Sequence, residues 1–195
     1  MDPFKRVPQR WERSTAFLKA TVAAVVLKLD GEAFKFDLRL DRATIERGRA
    51  HGKGLFTFLQ EHLRRWLSRY LGRVPDFFFF MEYVVSGTCD CREHLHGIVG
   101  LRPGEQAKAK KAIASMGHFY KPKRLVMKAL NDAYRCANYA GKDERYLRDA
   151  EGRSPLYMTR PLKQRSRAVY ELALQLYGEK VLAQKREAES TARAA

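Results

Sequence analysis

Cysteine is scarce in this chain of 195 residues, and no long apolar run is present. The three cysteines are an odd number, and only one residue separates Cys89 from Cys91, so the sequence does not predict a disulfide framework. No apolar run approaches the ~18 residues that a membrane-spanning helix needs, and the first residues include no apolar segment typical of a signal peptide. We therefore expect a soluble, cytoplasmic protein that has no membrane partner.

Acidic residues are outnumbered by basic ones. The chain has 38 Lys and Arg against 22 Asp and Glu, which gives a net charge of +16, and 45% of its residues are hydrophobic. That apolar content is enough to bury a core and argues against a disordered chain. The positive excess is spread along the sequence and favours a polyanionic partner, because neutralised phosphates release their counterions. Nucleic acid is favoured over an acidic membrane surface, since no basic amphipathic helix stands out.

Composition and periodicity predict one domain over 19–182, between a basic arm at 1–18 and a charged tail at 183–195. The segment 21–29 is continuously apolar and rich in β-branched residues, which is typical of a buried strand. The segment 34–40 alternates strictly between apolar and charged residues, as a half-buried strand does.

Two turn signals interrupt the first part of the domain. The pair Asp30 and Gly31 lies between the two predicted strands and implies a hairpin. Gly48, Gly52 and Gly54 then predict a flexible basic loop.

The rest of the domain alternates between helical and strand patterns. Helical spacing predicts helices over 55–71, 105–117, 131–142 and 169–177, and the apolar runs 77–85, 93–101 and 125–130 predict strands. The two longer strands, 77–85 and 93–101, are expected to pair as an antiparallel hairpin, and 125–130 is expected at a sheet edge. This order predicts an α+β fold in which one antiparallel sheet is covered by helices on one face.

Two histidines and a glutamate lie on the strands of this predicted hairpin. His94 and His96 are two residues apart, so both imidazoles leave the strand on the same face. Glu82 interrupts the apolar partner strand, where a carboxylate is costly to bury alone. One carboxylate and two imidazoles within cross-strand reach predict a site for a divalent cation. Surface histidines, and an ion pair between Glu82 and a cation of a covering helix, are the alternatives.

Cysteines next to the histidines raise a second possibility. Cys89, Cys91, His94 and His96 form a C-x-C-x2-H-x-H pattern, and four such ligands can close a structural zinc site. The spacing argues against it, because structural zinc motifs separate paired ligands by more residues. Unpaired thiols explain the cysteines more simply.

Tyr139 and Lys142 lie three residues apart on a predicted helix and are therefore close neighbours on one face. A nearby ammonium favours the phenolate form of a tyrosine, which makes the pair a candidate nucleophile and its auxiliary. The simpler interpretation is a surface pair. Tyr134 precedes Tyr139 by five residues, about 140° around the helix, so it is not expected to share that face.

Taken in order, Glu82 on an apolar strand, HLHGIV at 94–99 and YAGKD at 139–143 resemble the HUH endonuclease superfamily. The closest resemblance is to its single-tyrosine rolling-circle replication initiators, found in plasmids and in single-stranded DNA phages or viruses. The resemblance implies a ferredoxin-like or RNA-recognition-motif-like sandwich and Mg²⁺ or Mn²⁺ held by His94, His96 and Glu82. It also implies that Tyr139 is the nucleophile and Lys142 its auxiliary.

The implied function is site-specific nicking and joining of single-stranded DNA at a replication origin, through a covalent 5′-phosphotyrosine, in a bacterial host. No G-x-x-x-x-G-K-[ST] motif is present, so we expect no nucleotide cofactor and a separate helicase. A relaxase or transposase of the same superfamily, and a non-catalytic nucleic-acid-binding module, are the alternatives. Candidate phosphate contacts are Arg47, Arg49, Lys53, Lys121, Lys123 and Arg124.

Overall fold

The computed structural model describes residues 10–82, 93–116, 125–140 and 154–194, with side chains at 138–140 and 185–194 outside the described part. Within these ranges, a short 3-10 helix at Trp11–Arg13 precedes six helices and five strands. The helices are α1 Ala16–Asp30, α2 Arg42–Ala50, α3 Gly54–Leu71, α4 Gln106–Ser115, α5 Ala133–Ala140 and α6 Arg160–Ala194. The strands are β1 Glu32–Arg39, β2 Phe77–Glu82, β3 His94–Leu101, β4 Leu125–Ala129 and β5 Leu156–Met158.

The five strands form one sheet in the order β4-β1-β3-β2-β5, and every neighbouring pair is antiparallel. The predicted α+β class with an antiparallel sheet is therefore confirmed. The register matters for function. It sets Glu82 opposite His94, and Asp37 opposite His96.

Helices cover both faces of this sheet, so the prediction that they cover one face was wrong. Helices α2, α3 and α4 pack on what we call the α3 face, against Phe77, Phe79 and Met81. Helices α1, α5 and α6 pack on the opposite face, the α1 face, against Phe78 and Phe80. Because successive strand residues point to opposite sides, an apolar run such as FFFF supplies both cores at once.

The α3 face includes a close approach between two strands. Phe36 of β1 lies over Gly97 of β3, where a Cβ atom would come within 2.3 Å of the Phe36 ring and 2.6 Å of the Phe78 carbonyl oxygen. Glycine at position 97 is what allows this large ring to fill the core.

Helix α1 corrects the prediction of a strand at 21–29 and of a hairpin at Asp30 and Gly31. The helix begins earlier than the apolar run, where the Thr15 side chain accepts a hydrogen bond from the Leu18 amide. Its buried alanines follow helical spacing, and their small side chains let the helix lie close to the sheet: Ala16, Ala20, Ala23 and Ala24. A short apolar run does not by itself distinguish a strand from a buried helix.

Other elements also differ from expectation. The predicted loop around Gly48 is helix α2, which begins where the Asp41 carboxylate accepts a hydrogen bond from the Thr44 amide. The predicted arm packs into the fold from Trp11 onward, since Trp11 and Ala16 are buried. Helix α6 extends well beyond both ends of the predicted 169–177 helix and runs through the predicted tail as far as Ala194.

The remaining predictions agree with the described residues. Strands β1, β2, β3 and β4 and helices α3, α4 and α5 lie where the periodicity indicated. Asp132 begins α5, because its carboxylate accepts a hydrogen bond from the Arg135 amide. None of the helices in the described ranges combines the length and apolar content that crossing a membrane requires.

Candidate metal and nucleic-acid site

The candidate site lies on the α1 face, at the end of the sheet where apolar residues give way to ionisable ones. Along β2 this face carries Phe78, Phe80 and then Glu82, and along β3 it carries Ile98, His96 and then His94. The period-2 alternation of both strands therefore brings together all three predicted metal ligands.

His96 lies between two carboxylates. Its Nε2 is 2.6 Å from Glu82 Oε2, and its Nδ1 is 2.5 Å from Asp37 Oδ1. The histidine is 7% exposed. Each carboxylate can accept a hydrogen bond from the ring nitrogen that it faces. Both bonds form together only when both nitrogens carry protons, so the arrangement favours the imidazolium form of His96.

The pKa of His96 follows from this arrangement. Burial lowers the pKa, but the hydrogen bonds and charges of Asp37 and Glu82 outweigh burial, so the pKa of His96 is raised above its ordinary value. A cation at Nε2 must replace the proton there.

His94 has a different environment on the same strand. Its ring lies nearly parallel to that of His96, with centroids 6.0 Å apart. Its Nδ1 is buried and has no hydrogen-bond partner within the described residues. Burial, followed by the charge of His96, lowers the pKa of His94. His94 is therefore a neutral imidazole with an unused nitrogen, which is the form that binds metals.

The donor chemistry of this site fits a divalent cation. Carboxylate ligands suit Mg²⁺ and Mn²⁺, and imidazole is a ligand of divalent transition metals. The buried His94 Nδ1, which has no partner among the described residues, is an atom that a cation would satisfy. In the described part of the chain, no three His, Cys, Asp or Glu side chains are arranged as a ready metal site. Glu82 instead bonds directly to His96 Nε2, so their donor atoms face each other.

Asp37 is a site residue that the sequence analysis missed. Asp37 lies on the charged side of β1, which is a pattern typical of a solvent-facing surface. Only the register of β1 with β3 brings Asp37 to His96. A carboxylate that accepts the second N–H of a metal-binding histidine is a common orienting partner. The pairing of β1 with β3 is the feature that could have indicated Asp37, because a strand beside β3 places its own polar residues next to the histidines.

A cavity of about 660 Å³ extends from His96 along the sheet to the start of α5. Three cations line it, namely Lys35 of β1, Lys128 of β4 and Arg135 of α5, together with Asp37 and Asp132. None of these five was predicted as a site residue. The cavity is open to an anionic ligand on the same face as the histidines.

Tyr139 belongs to helix α5, four residues after Arg135 and three after Cys136, and both of those residues line the cavity. Its side chain and the whole of Lys142 lie outside the described residues. Tyr134 is 61% exposed and its ring packs edge-on against Phe17 of α1. Tyr134 is not among the residues that line the cavity.

The predicted phosphate contacts lie elsewhere. Arg47 and Arg49 are on α2, which packs on the α3 face, and Lys53 directly precedes α3. Arg49 pairs with Glu93 at 2.6 Å, and Lys53 pairs with Glu61 at 3.4 Å. The structure does not bring these cations to the histidine cavity. Lys121, Lys123 and Arg124 lie outside the described residues, as do Cys89 and Cys91.

The aromatic run of β2 bears on the alternative of a base-stacking module. Phe77, Phe78, Phe79 and Phe80 are each at most 1% exposed. They belong to the two cores and offer no stacking surface to a nucleic acid. Tyr157 of β5 packs on the rings of Phe77 and Phe79, and burial raises its pKa.

Comparison with known proteins gives no independent indication of function. No protein-family model, curated protein or solved structure matches the chain.

Proposed function

We propose that this protein nicks and rejoins single-stranded DNA at a replication origin and so initiates rolling-circle replication. One observation carries the proposal. The ring of His94, whose buried Nδ1 has no hydrogen-bond partner among the described residues, lies nearly parallel to that of His96 in the row Glu82–His96–Asp37, on the sheet face covered by the helix to which Tyr139 belongs. A separate helicase would unwind the duplex, because the sequence has no nucleotide-binding motif.

Three residues would hold a Mg²⁺ or Mn²⁺ ion: His94 through Nδ1, His96 through Nε2, and Glu82 through its carboxylate. Asp37 would orient His96 by accepting a hydrogen bond from its Nδ1, to which its carboxylate lies within 2.5 Å. The bound ion would supply Lewis acidity toward the oxygens of the scissile phosphate.

The cations of the cavity support the binding of a phosphate chain next to this site. The three cations Lys35, Lys128 and Arg135 outnumber the two carboxylates Asp37 and Asp132. Contacts of this kind position a DNA backbone without reading its sequence.

Tyr139 would act as the nucleophile. The phenol loses its proton, its oxygen forms a bond to the phosphorus, the bond from phosphorus to the 3′-oxygen breaks, and that oxygen takes up a proton. One phosphodiester replaces another, so the free 3′-hydroxyl can reverse the step and join the strand. Lys142, three residues further along, would favour the phenolate by its charge.

The test is incubation of a labelled pool of single-stranded DNA circles with Mn²⁺, followed by denaturing electrophoresis. We expect a covalent protein–DNA adduct that EDTA prevents and that the variants His94→Ala, His96→Ala and Glu82→Gln lose. Tyr134→Phe is the matched control and should form the adduct normally. Full adduct formation by both histidine variants would reject the proposed metal site.

A further inference from the structure

Helix α1 is apolar on both of its sides. Toward the sheet it presents mainly small side chains, and these are buried: Ala16, Ala20, Ala23 and Ala24. On the opposite side of the helix it carries four large apolar side chains, which we call the outer stripe: Leu18, Val22, Val25 and Leu29. A helix that is covered on one side only has polar residues on the other, whereas a helix that is apolar all round is buried. The composition of α1 is therefore that of a helix covered on both sides.

The outer stripe is open in the described structure. Val25 is 40% exposed and Leu29 is 78% exposed, which makes Leu29 the most exposed large hydrophobic residue of the described chain. Leu18 and Val22 are partly exposed. The four residues follow spacings of four, three and four, which is the pattern of a coiled-coil seam. The stripe is therefore one straight apolar ridge that suits another helix.

The ionisable residues of α1 are engaged within their own chain. Lys19 and Lys28 each donate a hydrogen bond to a backbone carbonyl oxygen, at 3.2 and 2.6 Å, and Asp30 pairs with Arg165 at 2.5 Å. These three are the only ionisable residues of the helix. Polyanions and anionic lipid surfaces bind through cations, so the outer stripe fits a second apolar surface better than either of them.

The order of side chains in the outer stripe is the same in both directions, Leu-Val-Val-Leu. A second copy of α1, turned by 180° about an axis between Val22 and Val25, therefore presents the same surface. In that antiparallel arrangement Leu18 lies against Leu29 of the second copy, and Val22 lies against Val25 of the second copy. Such a contact is closed, because each pair of residues occurs twice. This symmetry favours a second copy of the chain over an unrelated protein.

The charges beside the stripe also fit an antiparallel pair. Lys19 and Asp30 both lie on the side of α1 that faces α6, since Lys19 lines a cavity with Arg160 and Lys163 while Asp30 pairs with Arg165. In an antiparallel pair the equivalent sides of the two helices meet. Asp30 of the second copy therefore approaches Lys19 at each end of the contact. Opposite charges that flank an apolar seam set the orientation of the helices.

We propose that the outer stripe of α1 binds the same stripe of a second copy, so that the protein forms an antiparallel dimer with two-fold symmetry. This inference goes beyond the proposed nicking activity and does not depend on it. The stripe is about 16 Å long, which is too short to bury the ~800 Å² per partner of a standard interface. We therefore expect a reversible dimer with a dissociation constant in the micromolar range.

The test is sedimentation equilibrium of the full chain at concentrations from about 1 to 500 µM, which bracket micromolar affinity. One variant places two charges in the exposed half of the stripe: Val25→Lys and Leu29→Lys. The matched control places the same two charges at exposed apolar positions of α6: Leu172→Lys and Leu176→Lys. All four positions are exposed, so both variants should fold, and far-UV circular dichroism checks this.

We expect the wild-type protein and the α6 control to change from monomer to dimer over this range, and the α1 variant to remain monomeric. A wild-type protein that is monomeric at every concentration would overturn the inference. Equal behaviour of the two variants would also overturn it, because the contact would then not depend on the outer stripe.

A charge exchange tests the orientation of the two helices. Lys19→Glu should weaken the dimer, since it brings two acidic residues together at each end, and the further change Asp30→Lys should restore it. A dimer that the second change does not restore would overturn the antiparallel order.

The outcome is separate from that of the proposed function. A protein that dimerises through α1 but never forms a covalent adduct with DNA would reject the nicking proposal and leave the dimer intact.

Discussion

The two faces of the sheet carry the same strands but have different compositions. On the α3 face the strand residues are apolar along the whole length of β2 and β3, including Phe77, Phe79 and Met81. On the α1 face the apolar residues stop at Phe80 and Ile98, and Glu82, His94 and His96 follow. The period of two in a strand lets one sequence specify both faces independently.

Because of this difference, the residues that stabilise the fold and the ionisable residues of the candidate site lie mainly on opposite faces of the sheet. The α3 face has a continuous core of large side chains, most of them fully buried. The α1 face uses the small alanines of α1 and leaves one end to an ionisable cluster beside a cavity. We infer that substitutions on the α3 face act mainly on folding, and that substitutions at the polar end of the α1 face act mainly on metal binding and cleavage.

The largest effect on stability should come from Phe79→Ala, which empties a fully buried position of the α3 face. We expect a loss of about 3 to 5 kcal/mol in the free energy of unfolding, the usual range for a buried phenylalanine. Denaturant titration measures it. Glu82→Gln should lower the free energy of unfolding less than Phe79→Ala does, and yet abolish adduct formation. A larger loss of stability in Glu82→Gln than in Phe79→Ala would contradict the division between the faces.

Gly97→Ala should cost about 1 to 3 kcal/mol, the usual range for overpacking a core. The added Cβ would lie within 2.3 Å of the Phe36 ring and 2.6 Å of a backbone oxygen, which cannot move away easily. Gly52→Ala is the control, because nothing lies within 4 Å of its Cβ position. Thermal unfolding of the two variants should differ clearly, and equal melting temperatures would refute the close packing at β3.

Asp37→Ala should weaken Mn²⁺ binding about 10- to 100-fold, the effect typical of losing the orienting partner of a metal-binding histidine. Isothermal titration calorimetry measures the affinity. Glu32→Ala, an exposed carboxylate on the same strand, serves as the control and should bind normally. If both variants bind Mn²⁺ equally well, Asp37 has no role in positioning His96.

The smallest expected effect is on the pH dependence of stability in EDTA. The raised pKa of His96 means that its ion pairs contribute stability fully below the unfolded-state pKa of about 6.5. That contribution is lost as the pH rises through the higher pKa of the folded state. The contribution of His96 to the melting temperature should therefore fall over this range, so the difference in melting temperature between the wild-type protein and His96→Gln should shrink as the pH rises. Identical pH profiles would contradict the raised pKa.

The sequence was sufficient to predict the parts of the fold that depend on local periodicity. The alternation in β1 is compatible only with a strand, and the spacing in α3 only with a helix. The antiparallel pairing of β2 with β3 then brings Glu82 to His94. Helix α1 was mistaken for a strand because the 21–29 window omits Ala16 and Ala20, the residues that reveal its helical period.

The rest of the site depends on long-range pairing. Asp37 reaches His96 only because β1 pairs with β3 across 59 residues. Lys35, Lys128 and Arg135 line one cavity only because β4 pairs with β1 and α5 covers the same face of the sheet. No local pattern encodes that strand order, so the sequence predicted the histidines and Glu82 and missed the charges around them.

The central claim is that Tyr139 is the residue that becomes linked to DNA beside the His94–His96 site. Its most direct test is to digest the Mn²⁺-dependent protein–DNA adduct with protease and nuclease and to locate the modified peptide by mass spectrometry. We predict a nucleotide on Tyr139, and no adduct in the variant Tyr139→Phe. A nucleotide on Tyr134 or on any other residue, or adduct formation at the wild-type level in Tyr139→Phe, would contradict the account.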